Sequence, residues 1–195
     1  MEEAGRRQRD NLQTWSSTRT YSARNSRLNK WATVKIRLDY AAPGQKTYSV
    51  LERSGSGLIA KRVIYPIIEA ERQSAAPAIR MLSDVNRTNY TLKFTGFDAV
   101  ERAYVFQAIP RAPARYQFSG TIWVDAETFG IKQVKGAPAV NPSFWVKSTE
   151  FSHEYRQFDG FWLPVRHHSE AQLRLFGTST LDIVYESYRW SPHRP

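Results

Sequence analysis

The sequence contains no cysteine, no long apolar run and none of the common catalytic motifs. The absence of cysteine excludes disulfide scaffolds, thiol catalysis and cysteine-ligated zinc sites. No apolar run approaches the ~20 residues that a membrane-spanning helix needs. The motifs of serine hydrolases, phosphate-binding loops and zinc proteases are also missing. We therefore expect no enzymatic activity, no catalytic residues, no cofactor and no bound metal.

Positive charge is in excess, with 28 lysines and arginines against 18 acidic residues and a net charge of +10. A basic balance favours nucleic acids or anionic lipids as partners. Residues 1–30 hold seven of the basic residues and three acidic ones, and the rest of the excess is spread thinly. Because no dense basic helix or arm occurs, we interpret this charge as solvated surface and expect no nucleic acid partner.

Most of the chain alternates apolar and polar residues, which is the period of a β-strand with one buried face. Thr33–Tyr40 is the clearest case, and Tyr90–Thr95 follows the same rule. Turn sequences such as Asp159-Gly160 separate these runs. We count about eleven strands, a number at which an open sheet curls. The sequence therefore predicts a mainly β fold, a strongly curved antiparallel sheet that forms a half-open barrel.

One segment, residues 57–74, has the helical period instead. Ile59, Val63 and Ile67 recur at every fourth position and mark one apolar face. Ser54 or Ser56 is expected to cap the helix start, and Pro66 is expected to kink or split the helix. We predict that this helix lies on the concave side of the sheet as a lid.

The chain is expected to form one domain over residues 1–195. Within it we expect a short helix or tail at 1–14, the lid helix at 57–74 and a C-terminal β-meander of about six strands at 115–190. The first residues, Met1–Arg7, contain no apolar core of a signal peptide.

Histidines and aromatic residues were the remaining candidates for chemistry or stacking. His167 and His168 are adjacent on a strand and point to opposite faces, so only one of them can join His153, and a third metal ligand is missing. Six tryptophans, ten tyrosines and ten phenylalanines are scattered over all strands. This distribution favours core packing over a stacking platform for single-stranded nucleic acid.

Three segments of the C-terminal half carry a family resemblance. They are Gly120–Ile131, with Gly-Thr-Ile-Trp-Val-Asp before an acidic turn, Asn141–Lys147, and Gly160–Arg166, with Phe-Trp-Leu-Pro. In this order they resemble the outer-membrane lipoprotein-sorting family, LolA-like. The order of elements matches over roughly residues 15–190, and about a third of the chain carries motif-like identity.

The resemblance implies a half-open barrel whose helical lid covers an apolar cavity, in a protein exported to the bacterial periplasm. It implies a carrier or sensor that holds lipid or lipoprotein acyl chains and meets membrane-anchored transport or acceptor proteins. The candidate cavity residues are Leu38, Tyr48, Ile59, Val63, Ile67, Leu92, Phe94, Tyr104, Phe106, Phe118, Ile122, Leu163, Val165 and Ile183. Arg62 is the candidate cation at the cavity mouth.

Two alternatives stay open at the level of sequence. The first is a structural or interaction protein with the same fold, whose cavity is filled by its own phenylalanine and tyrosine side chains. The second is a basic domain that binds nucleic acid through its surface. A measured cavity volume separates the first from a carrier, and binding of single-stranded DNA at high salt tests the second.

Overall fold

The computed structural model describes residues 2, 3, 5 and 11–190, so half of the predicted tail at 1–14 lies outside the described residues. The ten strands in chain order are β1 (Thr14–Asn25), β2 (Lys30–Ala41), β3 (Gln45–Gly55), β4 (Tyr90–Asp98), β5 (Ala103–Pro110), β6 (Phe118–Asp125), β7 (Ile131–Pro138), β8 (Val146–Phe158), β9 (Phe161–Leu173) and β10 (Gly177–Trp190). The helical segments are α1 (Gly57–Ile59), a π-helical turn (Ala60–Ile64), α2 (Tyr65–Ser74) and α3 (Pro77–Ser83).

All ten strands belong to one antiparallel sheet with the order β3-β2-β1-β10-β9-β8-β7-β6-β5-β4. The sheet is curved and unclosed, with β3 and β4 at its edges in the described residues, which confirms the predicted fold class. The predicted strand number is one too high. Residues 115–190 form five strands and not six, because β8, β9 and β10 are 13, 13 and 14 residues long.

Turn chemistry acts where the sequence predicts it. Asp159 and Gly160 connect β8 to β9 with φ angles of 47° and 86°, the left-handed pair that a two-residue hairpin turn requires. The carboxylate of Asp125 accepts hydrogen bonds from the backbone N–H groups of Glu127 and Thr128 at 3.2 and 2.8 Å. These local bonds satisfy backbone donors that leave the sheet after β6.

The connections lie on two rims of the sheet, because neighbouring strands run in opposite directions. The upper rim carries the β1–β2 turn, the start of α1, the loop at 139–145 and the β9–β10 turn. The lower rim carries the β2–β3, β4–β5, β6–β7 and β8–β9 turns. The two rims are therefore separated by the length of the strands.

The helical segment begins at the predicted cap, since the N–H of Ile59 donates to the Ser56 hydroxyl at 3.5 Å. Its buried face differs from the predicted one. Ile64 and Ile68 are fully buried, whereas Val63 and Ile67 are only partly buried beside them. The expected helical period fails here for a structural reason.

The π-helical turn explains the difference. In it the N–H of Tyr65 donates to the carbonyl of Ala60, five residues back, so the turn holds one residue more than an α-helical turn. Tyr65 follows the turn and Pro66 comes next, and Pro66 has no N–H to offer the carbonyl four residues earlier. Pro66 lies in the first turn of α2, and the helical segment continues past it.

Candidate functional site: two halves of the concave face

One row of paired residues crosses the sheet and defines its inner face. Each member is the register partner of the next on the neighbouring strand. The row runs Val34, Tyr21, Ile183, His167, His153, Val134, Ile122, Phe106 and Phe94. Val34 and Tyr21 are completely buried, whereas Phe94 is 56% exposed. The row is therefore buried or half-buried as far as Ile122 of β6 on the β4 side, and its β4 end is exposed.

The first half of the inner face, formed by β1, β2 and β10, is covered by the helical segment. Ile64 and Ile68 pack there against a cluster of buried strand residues. The strand members of the cluster are Tyr21, Ala23, Ala32, Val34, Ile36, Leu38, Leu181, Ile183 and Tyr185. The chain's own side chains therefore occupy the space directly beneath the helix, where the sequence predicted the cavity.

A buried ion cluster joins this half of the sheet to α2. Arg19 of β1 is 1% exposed, and its guanidinium forms an ion pair with the Glu71 carboxylate. Lys46 of β3 donates to the same carboxylate at 2.8 Å, and the Tyr21 hydroxyl donates to its other oxygen at 3.2 Å. The Arg19 guanidinium also lies 4.7 Å from the ring centre of Tyr185. Together these contacts connect the helix to strands on both sides of it.

The cluster keeps both partners charged in spite of burial. Burial alone would raise the pKa of the Glu71 carboxyl, but the adjacent cations of Lys46 and Arg19 outweigh it and hold the pKa below its usual range. Burial would likewise lower the pKa of Arg19, and the Glu71 carboxylate reverses this. Leaving a buried charge without its partner lowers the stability of the folded protein, so the loss of either Arg19 or Glu71 is expected to be destabilising.

Two histidines mark the middle of the inner face, between its two halves. His153 and His167 are register partners with ring centres 5.0 Å apart, and His153 stacks on Tyr155 at 4.9 Å. Burial, with the neighbouring histidine as a smaller cause, lowers the pKa of His153 to about 3. Burial also lowers the pKa of His167 to about 4, so both rings are neutral near pH 7. His168 points to the outer face and contacts Asp182 at 2.9 Å, as its place on the strand predicts.

The second half of the inner face, towards β4, is open. A cleft of about 910 Å³ lies over it. We call the apolar part of its lining the aromatic trough, formed by Tyr90, Leu92, Phe94, Tyr104, Phe106, Val124 and Phe129. Edge-to-face contacts order the floor, with the Phe94 ring centre 5.6 Å from that of Phe106 and 6.4 Å from that of Tyr104. Ile122 is completely buried in the core cluster beside Phe106.

A second cleft, of about 1250 Å³, adjoins the aromatic trough and shares Phe129 with it. Its walls come from α3, the segment 83–88 and the lower-rim turns at 127–131 and 157–162. Polar residues are more frequent in this lining than in the aromatic trough. The two clefts form a continuous depression from the polar turns to the aromatic floor.

Charged groups border the aromatic trough. Arg87 and Arg111 line it from the upper-rim ends of β4 and β5, and Arg111 Nε donates to the Arg87 carbonyl at 3.0 Å. Glu2 and Glu3 also line it, and the Glu2 carboxylate accepts the Arg87 N–H at 2.8 Å. Polar and charged groups therefore surround an apolar floor.

The structure divides the predicted cavity residues between these regions. Leu38 and Ile183 are buried beneath the helical segment, Ile59 of that segment is buried in the same cluster, and Val63 and Ile67 are partly buried beside it. In the second half Leu92, Phe94, Tyr104 and Phe106 line the aromatic trough, while Phe118 and Ile122 belong to the adjacent core cluster. Outside both groups are Tyr48, exposed on the edge strand β3, Leu163, buried in β9, and Val165, half-buried in β9. Arg62 is exposed on the π-helical turn.

The sequence reasoning missed the ion cluster. The signal that was available is the alternation within β1, where Trp15, Arg19, Tyr21 and Ala23 all occupy inward positions. An arginine in such a series is expected to face a buried partner. The partner is Glu71, which lies on the helical segment and is separated from it by 52 positions, so spacing alone does not identify the pair.

Neither a candidate metal-binding cluster nor a candidate membrane-spanning helix occurs in the described residues. No group of three or more histidine, aspartate or glutamate side chains there has an arrangement that would bind a metal ion. Among the helices of the same residues, none has both the length and the apolar character that a membrane crossing requires.

No protein-family model matches the chain, and no curated protein matches it. Solved structures are similar in fold. One is a putative outer membrane lipoprotein-sorting protein domain from Vibrio parahaemolyticus, with 10% identity, a TM-score of 0.49 and coverage of 100% of this chain and 92% of that one.

A LolA superfamily protein from Nitrosomonas europaea has 10% identity and a TM-score of 0.46, and it covers 99% of this chain and 94% of that one. A DUF1329 family protein from Desulfovibrio piger has 12% identity and a TM-score of 0.46, over 100% of this chain and 92% of that one.

Proposed function

We propose that the protein binds acyl chains of lipids or lipoproteins in the aromatic trough and serves as a carrier or sensor in lipoprotein or lipid sorting at the outer membrane. We place this function in the periplasm, with membrane-anchored transport or acceptor proteins as partners and without an enzymatic step. The observation that carries the proposal is the open cleft of about 910 Å³ with an aromatic floor.

The size and lining of the aromatic trough suit a single apolar chain. Small-molecule pockets have volumes of about 300–1,000 Å³ and mostly apolar walls. Burial of ~10–14 methylene groups contributes about 8–11 kcal/mol before the cost of ordering the ligand. No hydrogen bond is needed for this contribution, which fits a chain without a polar recognition motif.

The charged groups around the aromatic trough make its two ends different. Arg87 and Arg111 lie at its upper-rim end, where a guanidinium attracts an anionic headgroup, most strongly at low salt. We infer that the acyl chain lies across Phe94 and Phe106 and that the headgroup points towards these arginines.

Access to the aromatic trough does not require the helical segment to leave the sheet. The lining of the aromatic trough contains no residue of α1, the π-helical turn or α2. We therefore propose that the ion cluster around Glu71 holds a fixed cover on one half while ligand enters and leaves the other half. A half-open site also keeps the affinity moderate, which a carrier needs in order to release its cargo.

The proposal is tested with delipidated protein and cis-parinaric acid, whose fluorescence rises on transfer to an apolar site. We expect one molecule bound per chain. The variant Phe94→Glu places a charge in the aromatic trough and should weaken binding at least about tenfold. Val184→Glu is the matched control, because Val184 is 42% exposed and follows the inward Ile183 on β10.

Saturable uptake that Phe94→Glu abolishes and Val184→Glu preserves supports the proposal. No uptake, or equal uptake by both variants, rejects it in favour of a fold without lipid cargo. Native mass spectrometry of protein purified without detergent then identifies the class of any lipid that copurifies with it.

A further inference from the structure

The upper rim exposes large apolar side chains close together. Phe144 and Trp145, in the loop before β8, are 75% and 53% exposed. Leu175 and Phe176, in the β9–β10 turn, are 54% and 42% exposed, and Leu28 of the β1–β2 turn is 41% exposed. Contiguous exposed apolar groups of this kind mark interaction sites.

Hydrogen bonds hold these three loops together. Arg174 donates its backbone N–H to the Trp145 carbonyl at 2.9 Å and its Nε to the Phe144 carbonyl at 2.8 Å. Its guanidinium lies 5.1 Å from the ring centre of Phe144. Arg27 of the β1–β2 turn donates to the Leu175 carbonyl at 2.9 Å. The apolar tips are therefore presented as one surface, which we call the rim patch.

Positive charge dominates the loops that form the rim patch. The segments 26–31, 56–62, 139–147 and 174–176 meet at this part of the upper rim and contain no aspartate or glutamate. Their basic residues are Arg27, Lys30, Lys61, Arg62, Lys147 and Arg174. Glu150 and Glu170 face each other further along β8 and β9.

The rest of the upper rim is also mainly basic. Its remaining segments, 84–89 and 111–117, add Arg87, Arg111 and Arg115 against the single acid Asp84.

The lower rim is different. Its acidic residues are Asp39, Asp98, Glu101, Asp125, Glu127, Asp159 and Glu186, and its basic residues are Arg37, Lys46, Arg102, Lys132, Arg156 and Arg189. The net charge of the chain is therefore not a uniform surface property. It is concentrated on the rim that also exposes the aromatic tips.

We propose that the rim patch docks on anionic lipid bilayers. Tryptophan and phenylalanine side chains favour the interface between headgroups and acyl chains. Lysine and arginine residues near the surface are attracted to anionic headgroups. The complement to these six cations is a surface of dense negative charge, and the apolar tips require that surface to have an apolar layer beneath it. This docking is distinct from ligand binding in the aromatic trough and does not depend on it.

Sedimentation with lipid vesicles at physiological salt tests the proposal. The protein should bind vesicles of phosphatidylglycerol and phosphatidylethanolamine and should bind pure phosphatidylcholine vesicles at least about tenfold more weakly. Circular dichroism and thermal unfolding verify that each variant is folded. Because these vesicles are offered to the free protein, failure to take up cis-parinaric acid leaves this test unaffected.

Two pairs of variants separate the rim patch from diffuse charge. Lys30→Glu with Lys61→Glu should weaken vesicle binding at least about tenfold, whereas the charge-matched lower-rim change Arg156→Glu with Arg189→Glu should weaken it much less. Phe144→Ser with Trp145→Ser should also weaken binding about tenfold. The control for the apolar pair is Val100→Ser, at a position that is 92% exposed in the β4–β5 turn of the lower rim.

Loss of binding through both rim-patch pairs, with binding kept in the controls, supports the proposal. Equal effects of the two charge pairs overturn it, because diffuse charge then explains the binding. Absence of binding to any vesicle also overturns it.

Discussion

The two halves of the inner face belong to the same sheet but differ in how far their apolar side chains are shielded from water. Beneath the helical segment, Ile64 and Ile68 pack on the strands, and the Arg19–Glu71 pair fastens the cover. Towards β4 no residue of α1, the π-helical turn or α2 lines the cleft, and Phe94 remains 56% exposed. The comparison shows that a lid helix and a ligand site need not share the same stretch of sheet.

The largest expected effect concerns the ion cluster of the covered half. Glu71→Gln removes the charge that neutralises Arg19, which is 1% exposed, and should lower the free energy of unfolding by about 3–5 kcal/mol. Urea unfolding measures this change in the free energy of unfolding. Glu69→Gln is the control on the same helix, because its partner Arg72 is half exposed and surface ion pairs of this kind contribute little to stability. Equal effects of the two variants would show that the cluster does not fasten the helix.

The next effect tests which face of the helical segment is buried. Ile64→Ala should cost about 2–5 kcal/mol, because Ile64 is completely buried in the covered half. Ile67→Ala should cost clearly less, since Ile67 is only partly buried. The uninterrupted helical period predicts the reverse order, so the ranking of the two urea midpoints decides between the two faces.

Acid should lower the stability of the protein through His153 and His167, which lie between the two halves. The folded-state pKa values of about 3 for His153 and about 4 for His167 lie below the usual value near 6.5. The unfolded chain therefore binds more protons, so stability is fully present above about pH 6.5 and is lost as the pH falls towards 4. The pH dependence of the urea midpoint measures this, with a slope that approaches about two protons.

The variant His153→Phe tests how much of this pH dependence comes from His153. In the described residues the buried Nε2 of His153 has no hydrogen-bond partner, so His153→Phe should stabilise the protein by about 1 kcal/mol near pH 7. It should also reduce the slope by about one proton. A slope that does not change would contradict the assignment to His153.

The smallest effect on stability is expected in the open half. Phe94→Ala should change the free energy of unfolding by less than about 1 kcal/mol, because the ring is 56% exposed at the sheet edge. The same change should weaken binding of cis-parinaric acid several-fold. Ile122→Ala, in the core beside the aromatic trough, should instead cost about 2–5 kcal/mol. A large stability loss in Phe94→Ala would make that residue part of the core and not of a ligand site.

Strand alternation was the dependable part of the sequence. It predicted the positions of β2 and β4, since Thr33–Tyr40 and Tyr90–Thr95 lie within these strands. A strand turns successive side chains to opposite sides whatever its surroundings. The helix was predicted in the right place with the wrong buried face. A single extra residue in a π-helical turn shifts every later side chain, and the sequence marks that turn only by Pro66.

The candidate site was predictable only in part. Leu92, Phe94, Tyr104 and Phe106 were identified as inward residues, and they line the aromatic trough. Leu38, Ile59 and Ile183 have the same sequence pattern and lie in the packed core. Alternation reports the face of a strand, whereas the presence of empty space above that face depends on which distant segment covers it.

The sequence by itself determined a curved antiparallel sheet with one apolar face and one helical segment, since these follow from the local periods of apolar residues and from turn chemistry. Only the tertiary structure decided where the helical segment lies, that Glu71 meets Arg19, and which half stays open. These features arise from contacts between residues far apart in the chain, and no local pattern encodes the distance between them.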